Sequence, residues 1–227
     1  GSMRPPASPA VVVGSERHGA VVIDALLELG IRPVGVLDDA HEPGEVVHQG
    51  IEVLPHGRDY ERWVREGTGA AYLGFGLGDD NRPRRDVFRG LAAAGFVLPP
   101  IVHPRASVAR GVPLGPGAVV LAGAVVAANV HLGANTVVEP GATIGQDCVV
   151  GDHAHLASGV LIAAGAQVGP GASVGLGALV LEGAVIGAAS TVEPGTPVLS
   201  DLPPGTVLGR AGVVLAAAAT PRRSRRG

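Results

Sequence analysis

Histidines and carboxylates come together in one short stretch of the chain, residues 146–155. Its polar members are Gln146, Asp147, Asp152, His153 and His155. A histidine beside a carboxylate can accept a proton near neutral pH, so this stretch suits general acid–base chemistry. The single cysteine, Cys148, excludes both an intrachain disulfide and a multi-cysteine metal site. We therefore expect no metal ion, and we expect Cys148 to pack in the core rather than act as a nucleophile.

A second group of polar residues lies near the amino terminus, after short apolar segments. His18 opens a segment with helical periodicity; a helix N-terminus can bind an anion, or His18 can simply begin the helix. Asp38 and Asp39 follow an apolar run, where carboxylates hold ribose hydroxyls or a base edge, or else lie in a solvated loop. The candidate substrate contacts are Gly14, Glu16, Arg17, His18, Asp38 and Asp39.

The overall composition restricts the possible partners. The 227 residues carry a formal net charge of −3, which predicts no strong attraction to nucleic acid or to an anionic membrane. No apolar run is long enough to span a bilayer and no signal peptide is apparent, so we expect a cytoplasmic protein. A hydrophobic fraction of 46% combined with 36 glycines favours a tightly turned repeat protein.

From Val102 onward the sequence repeats every six residues. An aliphatic residue occupies each sixth position: Val102, Val108, Leu114, Val120, Val126, Leu132, Val138, Ile144, Val150, Leu156, Ile162, Val168, Val174, Val180, Ile186, Val192 and Val198. A smaller residue follows four positions after each of these, from Ala106 to Thr196. The residue before the smaller one is usually glycine.

Such a hexad fits a short strand followed by a tight corner. One bulky and one small residue point inward, and glycine tolerates the positive φ that a corner can require. Three hexads close a triangular coil, and successive coils pair as parallel strands about 4.8 Å apart. We therefore predict a parallel β-helix over residues 101–215, with about five to six coils and no inserted loop. Leu199 to Leu215 is expected to cap one end, and the arginine-rich residues 216–227 are expected to be disordered.

Residues 10–98 lack the hexad and alternate between strand and helix patterns. The predicted strands run from Ala10 to Val13, Pro33 to Leu37 and Ala70 to Phe75, and the predicted helices from His18 to Leu29 and Arg84 to Ala94. Alternation of this kind implies a parallel sheet. The predicted fold class is therefore α/β followed by β, a small Rossmann-like domain at 10–98 and then the β-helix, with a linker at Pro99-Pro100.

These two segments, in this order, resemble the sugar O- and N-acetyltransferases of the sialic acid O-acetyltransferase type, in the hexapeptide-repeat superfamily. The resemblance covers most of the chain. The motifs that carry it are Leu37-Asp38-Asp39, Gly76-Leu77-Gly78-Asp79-Asp80-Asn81-Arg82, Ile101-Val102-His103-Pro104 and Asp147-Cys148-Val149-Val150-Gly151-Asp152-His153-Ala154-His155. It implies that the coil is left-handed and trimeric, and that the α/β domain is of the nucleotide-sugar type.

The resemblance also implies the reaction and its contacts. An acyl-CoA, expected to be acetyl-CoA, would lie between neighbouring β-helices of a homotrimer. Its contacts would be His155, Leu176, Pro194 and Gly195. The acceptor would be a small sugar-like molecule bound by the amino-terminal turn. A histidine just before the Asp-Cys pair would take the acceptor's proton, oriented by a neighbouring carboxylate, for which Asp147 is the candidate.

The chain departs from this family pattern at the centre of the implied site. Gln146 occupies the position of the family's base, and glutamine has no protonation equilibrium near neutral pH, so it cannot act as a general base. It can still orient a nucleophile or donate a hydrogen bond to an oxyanion. Glu16 and Arg17 replace glycines of the family's first turn, and Pro194 lies where the family has glycines beside CoA.

The leading hypothesis is CoA-dependent acyl transfer to a sugar or sugar-like metabolite. Transfer to nitrogen is favoured over transfer to oxygen, because a neutral amine attacks a thioester without first losing a proton. One alternative is a catalytically silent β-helix that acts as a binding or scaffold subunit. Another is an enzyme with a different base, either His155 or His131, which we expect on the same face as Gln146 one coil earlier.

Overall fold

The chain begins as a small α/β unit. The computed structural model describes residues 8–75 and 80–209, together with the backbone of 214–215. The elements of the unit are β1 (Ala10–Val13), α1 (Arg17–Glu28), β2 (Gly35–Leu37), β3 (Val46–His48), β4 (Ile51–Glu52), α2 (Tyr60–Arg65), β5 (Ala70–Leu73) and α3 (Arg82–Ala94).

A three-stranded parallel sheet forms the centre of this unit. Strand β1 lies between β2 and β5 and pairs with both in parallel, which confirms the predicted parallel sheet. Val12 packs with α1 on one side of the sheet, whereas Val11 and Val13 pack with Leu91 of α3 on the other, so every residue of β1 is buried. The β3–β4 hairpin and α2 were not predicted, because their short sequences show neither clear alternation nor a helical stripe.

The rest of the described chain is a coil of two-residue strands. In chain order these are β6 (Ile101–Val102), β7 (Ser107–Val108), β8 (Val119–Val120), β9 (Val125–Val126), β10 (His131–Leu132), β11 (Val137–Val138), β12 (Thr143–Ile144), β13 (Val149–Val150), β14 (His155–Leu156), β15 (Leu161–Ile162), β16 (Gln167–Val168), β17 (Ser173–Val174), β18 (Leu179–Val180), β19 (Val185–Ile186), β20 (Thr191–Val192), β21 (Pro197–Val198), β22 (Val207–Leu208) and β23 (Val214–Leu215).

The strands stack into three flat faces of a left-handed parallel β-helix. Face 1 contains β6, β8, β11, β14, β17, β20, β22 and β23, face 2 contains β7, β9, β12, β15, β18 and β21, and face 3 contains β10, β13, β16 and β19. His155 pairs with Val137, eighteen residues earlier, and the same offset holds from Ile101 to Val198. The prediction of three hexads per coil without an inserted loop is therefore confirmed.

Three edges join the faces, and we number them by position. The first edge joins faces 1 and 2 and contains residues 121–123, 139–141, 157–159, 175–177 and 193–195. The second edge joins faces 2 and 3 and contains residues 127–129, 145–147, 163–165 and 181–183. The third edge joins faces 3 and 1 and contains residues 133–135, 151–153, 169–171 and 187–189.

The interior of the coil is filled by the residues that the hexad predicted. The aliphatic positions are buried from Val120 to Val198, and only Val102, Val108 and Leu114, at the open first coil, are partly buried. Each corner from Gly111 to Gly195 has a residue with positive φ at the predicted place. Where it is not glycine, that residue is Asn129, Asn135, Asp147, His153 or Ala189.

The last coil is shorter than the others. Leu202 pairs with Ile186 and Val207 pairs with Thr191, offsets of sixteen residues instead of eighteen. Leu202 and Leu208 are buried at this end of the core. This part of the predicted cap thus covers the coil, whereas the predicted tail at 216–227 lies outside the described residues.

The α/β unit packs against face 1 and the third edge. Helix α1 shares a buried cluster with Ile101, Val119 and Leu121 of the coil. On the third edge, the ring of Phe88 in α3 meets the ring of His153 edge to face, with the centroids 5.4 Å apart. Among the described residues, no helix is both long and apolar enough to cross a membrane.

Candidate active site

A buried histidine and a carboxylate meet where face 1 turns into the first edge. Nε2 of His155 lies 3.1 Å from Oε1 of Glu139. The other oxygen of Glu139 accepts hydrogen bonds from the backbone N–H of Ser158 at 3.0 Å and from its hydroxyl at 2.8 Å. The side chain of His155 is 9% exposed and that of Glu139 is 20% exposed. The pair is therefore a hydrogen-bonded and largely desolvated acid–base unit.

This network keeps Glu139 ionised. Burial by itself raises the pKa of Glu139, but the hydrogen bonds from His155 and Ser158 outweigh it and hold the pKa at about 2. A carboxylate that is charged at neutral pH accepts a strong hydrogen bond from an imidazole N–H. Nδ1 of His155, on the other side of the ring, is buried and has no hydrogen-bond partner among the residues that the structure describes.

The α/β unit brings two more basic side chains to this region. The pKa of His18 is lowered to about 3, chiefly by burial and also by the charges of Arg84 and His155, while the charge of Glu139 opposes the shift. These charge interactions indicate that His18 of α1 lies near the pair on the coil. Like Nδ1 of His155, Nε2 of His18 is buried without a partner. Arg84 is also buried, which lowers its pKa to about 9, and its Nη1 donates to the carbonyl oxygens of Leu73 and Phe75.

Glu139 and Ser158 were not among the residues predicted for the site. Neither belongs to a recognised motif, and Glu139 is followed by Pro140 and Gly141, which is typical of a plain corner. The eighteen-residue repeat does carry a signal, because His155 pairs with Val137 and thus lies next to the corner that begins at Glu139.

The residues predicted to contact CoA follow the first edge. His155 lies on face 1 beside that edge, while Leu176, Pro194 and Gly195 lie on the edge itself. Backbone hydrogen bonds stack these corners, since Gly177 N–H donates to Ser158 and Gly195 N–H donates to Leu176, at 3.0 and 2.8 Å. Leu176 is 60% exposed. The structure therefore aligns the four predicted residues with Ser158 along one side of the coil.

Gln146 and Asp147 lie apart from these residues, on the second edge. Both are exposed, and Oδ1 of Asp147 accepts a hydrogen bond from Nδ2 of Asn129 at 2.9 Å. The whole of face 2 separates them from the first edge of the same chain. Within one subunit, the family's base position and the Glu139–His155 pair are therefore on different corners.

The predicted stacking of His131 and Gln146 is wrong. His131 lies in β10 on face 3, where it pairs with Val149. Gln146 lies on the second edge, and the coil below it contributes Ala128, whose carbonyl accepts from Asp147 N–H. The expectation failed because the two residues occupy different positions within their hexads. His131 is exposed.

The amino-terminal turn is held together by its own side chains. Asp38 is buried and accepts from both the backbone N–H and the hydroxyl of Ser15, at 2.7 and 2.5 Å. Burial raises the pKa of Asp38, but hydrogen bonds from Ser15 and Ala40 lower it below its ordinary value. One oxygen of this candidate ribose contact is thus engaged by the turn itself.

Glycines allow this turn to lie against the sheet. Gly14 has φ +91°, and a Cβ on Gly19 or on Gly74 would come within 2.5 Å of the Gly14 carbonyl oxygen. Glu16 is the N-cap residue of α1, without a side-chain capping bond, and both Glu16 and Arg17 are exposed. Asp39 is also exposed and pairs with Arg58 at 3.4 Å.

Two further residues of the central motif have structural roles. His153 adopts φ +60° at its corner, accepts a hydrogen bond at Nδ1 from Nδ2 of Asn135 at 3.0 Å, and packs on Phe88. Cys148 fills a buried small-residue position, and burial raises the pKa of its thiol. Across the described part of the chain, no three His, Cys, Asp or Glu side chains gather as a metal site would require.

Comparisons with known proteins agree with this architecture. The family model described as bacterial transferase hexapeptide (six repeats) matches residues 113–146 and 129–164. No curated protein matches the sequence. The predicted resemblance to the hexapeptide-repeat acyltransferases, and with it the prediction of an acyltransferase, is therefore confirmed.

Solved structures resemble this acyltransferase over nearly its whole length. A variant of perosamine N-acetyltransferase from Caulobacter crescentus, in complex with CoA and GDP-perosamine, has a TM-score of 0.85 and 29% identity, covering 94% of this chain and 100% of that one. The acetyltransferase domain of PglB from Neisseria gonorrhoeae, in complex with acetyl coenzyme A, has a TM-score of 0.79 and 28% identity, covering 89% and 96%. WeeI from Acinetobacter baumannii, at 18% identity and a TM-score of 0.79, covering 91% and 99%, shares the fold.

Proposed function

We propose that this acyltransferase moves an acetyl group from acetyl-CoA to the amino group of a nucleotide-linked sugar. The coil binds acetyl-CoA along the first edge, and the α/β unit binds the acceptor. The seam between α1 and face 1 is where the two substrates meet. Both are metabolites of the cytoplasm, where we place the activity.

The observation that carries this proposal is the group of buried polar atoms at that seam. His155 and His18 come from the two parts of the chain, and each leaves one buried ring nitrogen without a partner. Buried nitrogens in native proteins are nearly always paired, so two unpaired ones in this region point to a ligand that binds at the seam. In the Caulobacter structures, CoA and GDP-perosamine are bound together.

An amine acceptor suits these side chains better than a hydroxyl. A neutral amine attacks the thioester carbonyl directly, and its proton is lost afterwards, whereas an alcohol needs a base during the attack. Gln146 cannot supply that base. The Caulobacter relative is an N-acetyltransferase by name, which supports the same choice.

The oligomer belongs to the same proposal. Face 2 exposes Val125, Leu161 and Leu179, 41%, 46% and 38% exposed, in one stacked row in which Thr143 lies between Val125 and Leu161. A row of apolar side chains on a flat sheet face is typical of a protein–protein contact. We propose that face 2 packs in a homotrimer, in which the second edge of a neighbouring copy, with its Gln146 and Asp147, approaches the first edge.

The direct test is acetyl transfer to matched acceptors. Purified protein is mixed with acetyl-CoA and either GDP-perosamine or GDP-mannose, which presents hydroxyl groups but no amine, and free thiol is followed with time. We expect thiol release with the amino sugar alone, and N-acetylated product by mass spectrometry. Transfer to GDP-mannose at the same rate would contradict the choice of an amine.

Calorimetry with acetyl-CoA tests the first edge separately. Leu176→Glu places a carboxylate beside the proposed CoA path and is expected to weaken binding about tenfold or more, which corresponds to about 1.4 kcal/mol. Val97→Glu, at a position of the α/β unit that is 64% exposed, is the matched control and should bind as the wild type does. Equal affinities for the two variants would place CoA elsewhere.

One observation favours a second function. Gln146 is exposed, and the base of the family is missing, so a catalytically silent binding subunit is the alternative. It predicts no CoA binding by the wild type and no thiol release with any amine.

A further inference from the structure

We propose that Glu139 and His155 are the proton-accepting pair of the transfer reaction, with Nδ1 of His155 as the accepting atom. This inference rests on the proposed function and assigns the base that Gln146 cannot provide. Glu139 is the positioning residue, and His155 is the catalytic residue that meets the acceptor amine.

The hydrogen bonds fix which nitrogen of His155 carries the proton. An ionised carboxylate can only accept, so Nε2 must donate its N–H to Oε1 of Glu139. In a neutral imidazole the second nitrogen then has a free lone pair, and that nitrogen is Nδ1. Because Nδ1 is buried without a partner among the described residues, its lone pair is available to a ligand at the seam.

Glu139 is itself held in place, as a positioning residue must be. Two hydrogen bonds from Ser158 hold Oε2, so Oε1 is directed at the ring of His155. The corner of the next coil supplies both of these bonds, and the backbone ladder fixes that corner. A carboxylate, an imidazole and a free ring nitrogen in this order are the geometry by which a general base is oriented in unrelated hydrolases.

The other candidate bases are less suitable. His18 also has a free buried nitrogen, but with a pKa of about 3 it can accept a hydrogen bond and hardly a proton. His131 is exposed on face 3 and Gln146 is exposed on the second edge. The charged or titratable groups coupled to the seam are Glu139 on the coil and His18 and Arg84 on the α/β unit, and the carboxylate of Glu139 is the one next to His155.

The proposed step balances as follows. The amine nitrogen attacks the thioester carbonyl carbon, so a C–N bond forms and the carbonyl electrons move to oxygen. The attacking nitrogen becomes positively charged and loses one proton to Nδ1 of His155. Glu139 stabilises the resulting imidazolium. The carbonyl re-forms, the C–S bond breaks, and the thiolate sulfur of CoA receives the proton. The products are the N-acetylated sugar and free CoA.

Steady-state kinetics separate this role from simple CoA contact. With acetyl-CoA and GDP-perosamine, His155→Gln is expected to lower kcat by about 10²-fold or more, and Glu139→Gln to lower it in the same direction. KM for acetyl-CoA should change little, whereas Gln167→Ala, at an exposed position of face 3, is the matched control and should retain the wild-type kcat. A variant His155→Gln with raised KM and unchanged kcat would overturn the proposal, because His155 would then only hold CoA.

Nitrogen NMR of the histidine rings gives a readout that does not depend on turnover. In wild-type protein we expect the neutral form of the His155 ring to carry its proton on Nε2, and this tautomer preference should weaken in Glu139→Gln. A proton on Nδ1 would overturn the pair. If the wild type neither bound CoA nor released thiol, the proposed acetyl transfer itself would be wrong. Failure of the catalytic pair and failure of the proposed function are therefore distinguishable.

Discussion

Glu139 is a carboxylate whose charge the fold maintains. Its three hydrogen bonds exist only in the folded chain, so its pKa of about 2 differs from the ordinary value of 4.5. A group whose folded pKa lies below its unfolded value stabilises the protein above that unfolded value. This contribution is lost as the pH falls from about 4.5 toward about 2.

We therefore expect the stability gap between wild type and Glu139→Gln to depend on pH. Wild-type protein should be the more stable at pH 6, by up to about 3 kcal/mol, and the gap should shrink steadily between pH 5 and 2. Urea unfolding at a series of pH values measures it. The other carboxylates titrate in both proteins and cancel in the difference. A gap that stays constant down to pH 3 would show that Glu139 is not held as described.

Single residues were the hardest part of the site to predict. His155 was predicted because a motif marks it, and its placement beside Leu176, Pro194 and Gly195 follows from the eighteen-residue coil. Glu139 has no motif, and its importance comes from a contact with a residue sixteen positions away. The hydrogen bond between Asp38 and Ser15 could not be predicted for the same reason, because the two residues are twenty-three positions apart.

At the scale of the element, the corner determines how well each coil closes. Fifteen successive corners from Gly111 to Gly195 place a residue at positive φ, and five of these residues are not glycine. The left-handed conformation costs a residue with a Cβ about 1–2 kcal/mol. Asparagine, aspartate and histidine tolerate it better than alanine, so Ala189 is the most strained of the five.

Exchanging alanine and glycine at two corners should shift stability in opposite directions. Ala189→Gly is expected to stabilise the protein by about 1 kcal/mol, and Gly165→Ala to destabilise it by a similar amount, because relief or addition of strain is the main change. A Cβ at Gly165 would meet its nearest atoms at 4.0 Å, so no clash contributes. Thermal unfolding of both variants measures the shifts.

Gly145→Ala is the contrasting control for that experiment. Gly145 is not at positive φ, but a Cβ there would lie 2.7 Å from the backbone nitrogen of Ala164. Its replacement should therefore destabilise the coil through a steric clash, by more than Gly165→Ala does. If Gly145→Ala and Gly165→Ala destabilised the protein equally, or if Ala189→Gly did not stabilise it, the distinction between backbone strain and steric clash would be contradicted.

The element scale is also where the sequence was most informative. Each hexad repeats the same inward pair and the same corner, so seventeen weak local patterns support one another. The α/β unit has no such repetition, and the short elements β3, β4 and α2 were missed. Two predicted strands were also too long. The strand predicted from Pro33 begins at Gly35 in the structure, and the strand predicted to end at Phe75 ends at Leu73.

At the scale of the whole molecule, faces 1 and 2 of the coil differ in how far their outward residues are exposed to solvent. The outward residues of face 1 are buried under the α/β unit from Ile101 to Ser173. Those of face 2 remain exposed although they include Val125, Leu161 and Leu179. No other part of the described chain packs on this apolar row, and for this reason we propose that a second copy packs on face 2.

Charge placed in this row should separate the copies. The double variant Leu161→Glu, Leu179→Glu is expected to sediment with the mass of one chain, 22.6 kDa, and the wild type is expected to sediment as a trimer. The matched control is Val34→Glu, Val97→Glu, which adds the same charges to exposed valines of the α/β unit. A wild-type monomer, or a double variant on face 2 that remains trimeric, would contradict the proposed interface.

The sequence by itself determined the coil, its period, its inward residues and the corners with positive φ, because these are local and repeated. It also determined the order of the α/β unit and the coil and the loss of the family's base at Gln146. Only the tertiary structure decided that His155 pairs with Glu139, that His18 reaches the same seam, and that Gln146 lies across face 2 from both. These depend on how the α/β unit docks and how coils stack, which are contacts between residues that no local pattern joins.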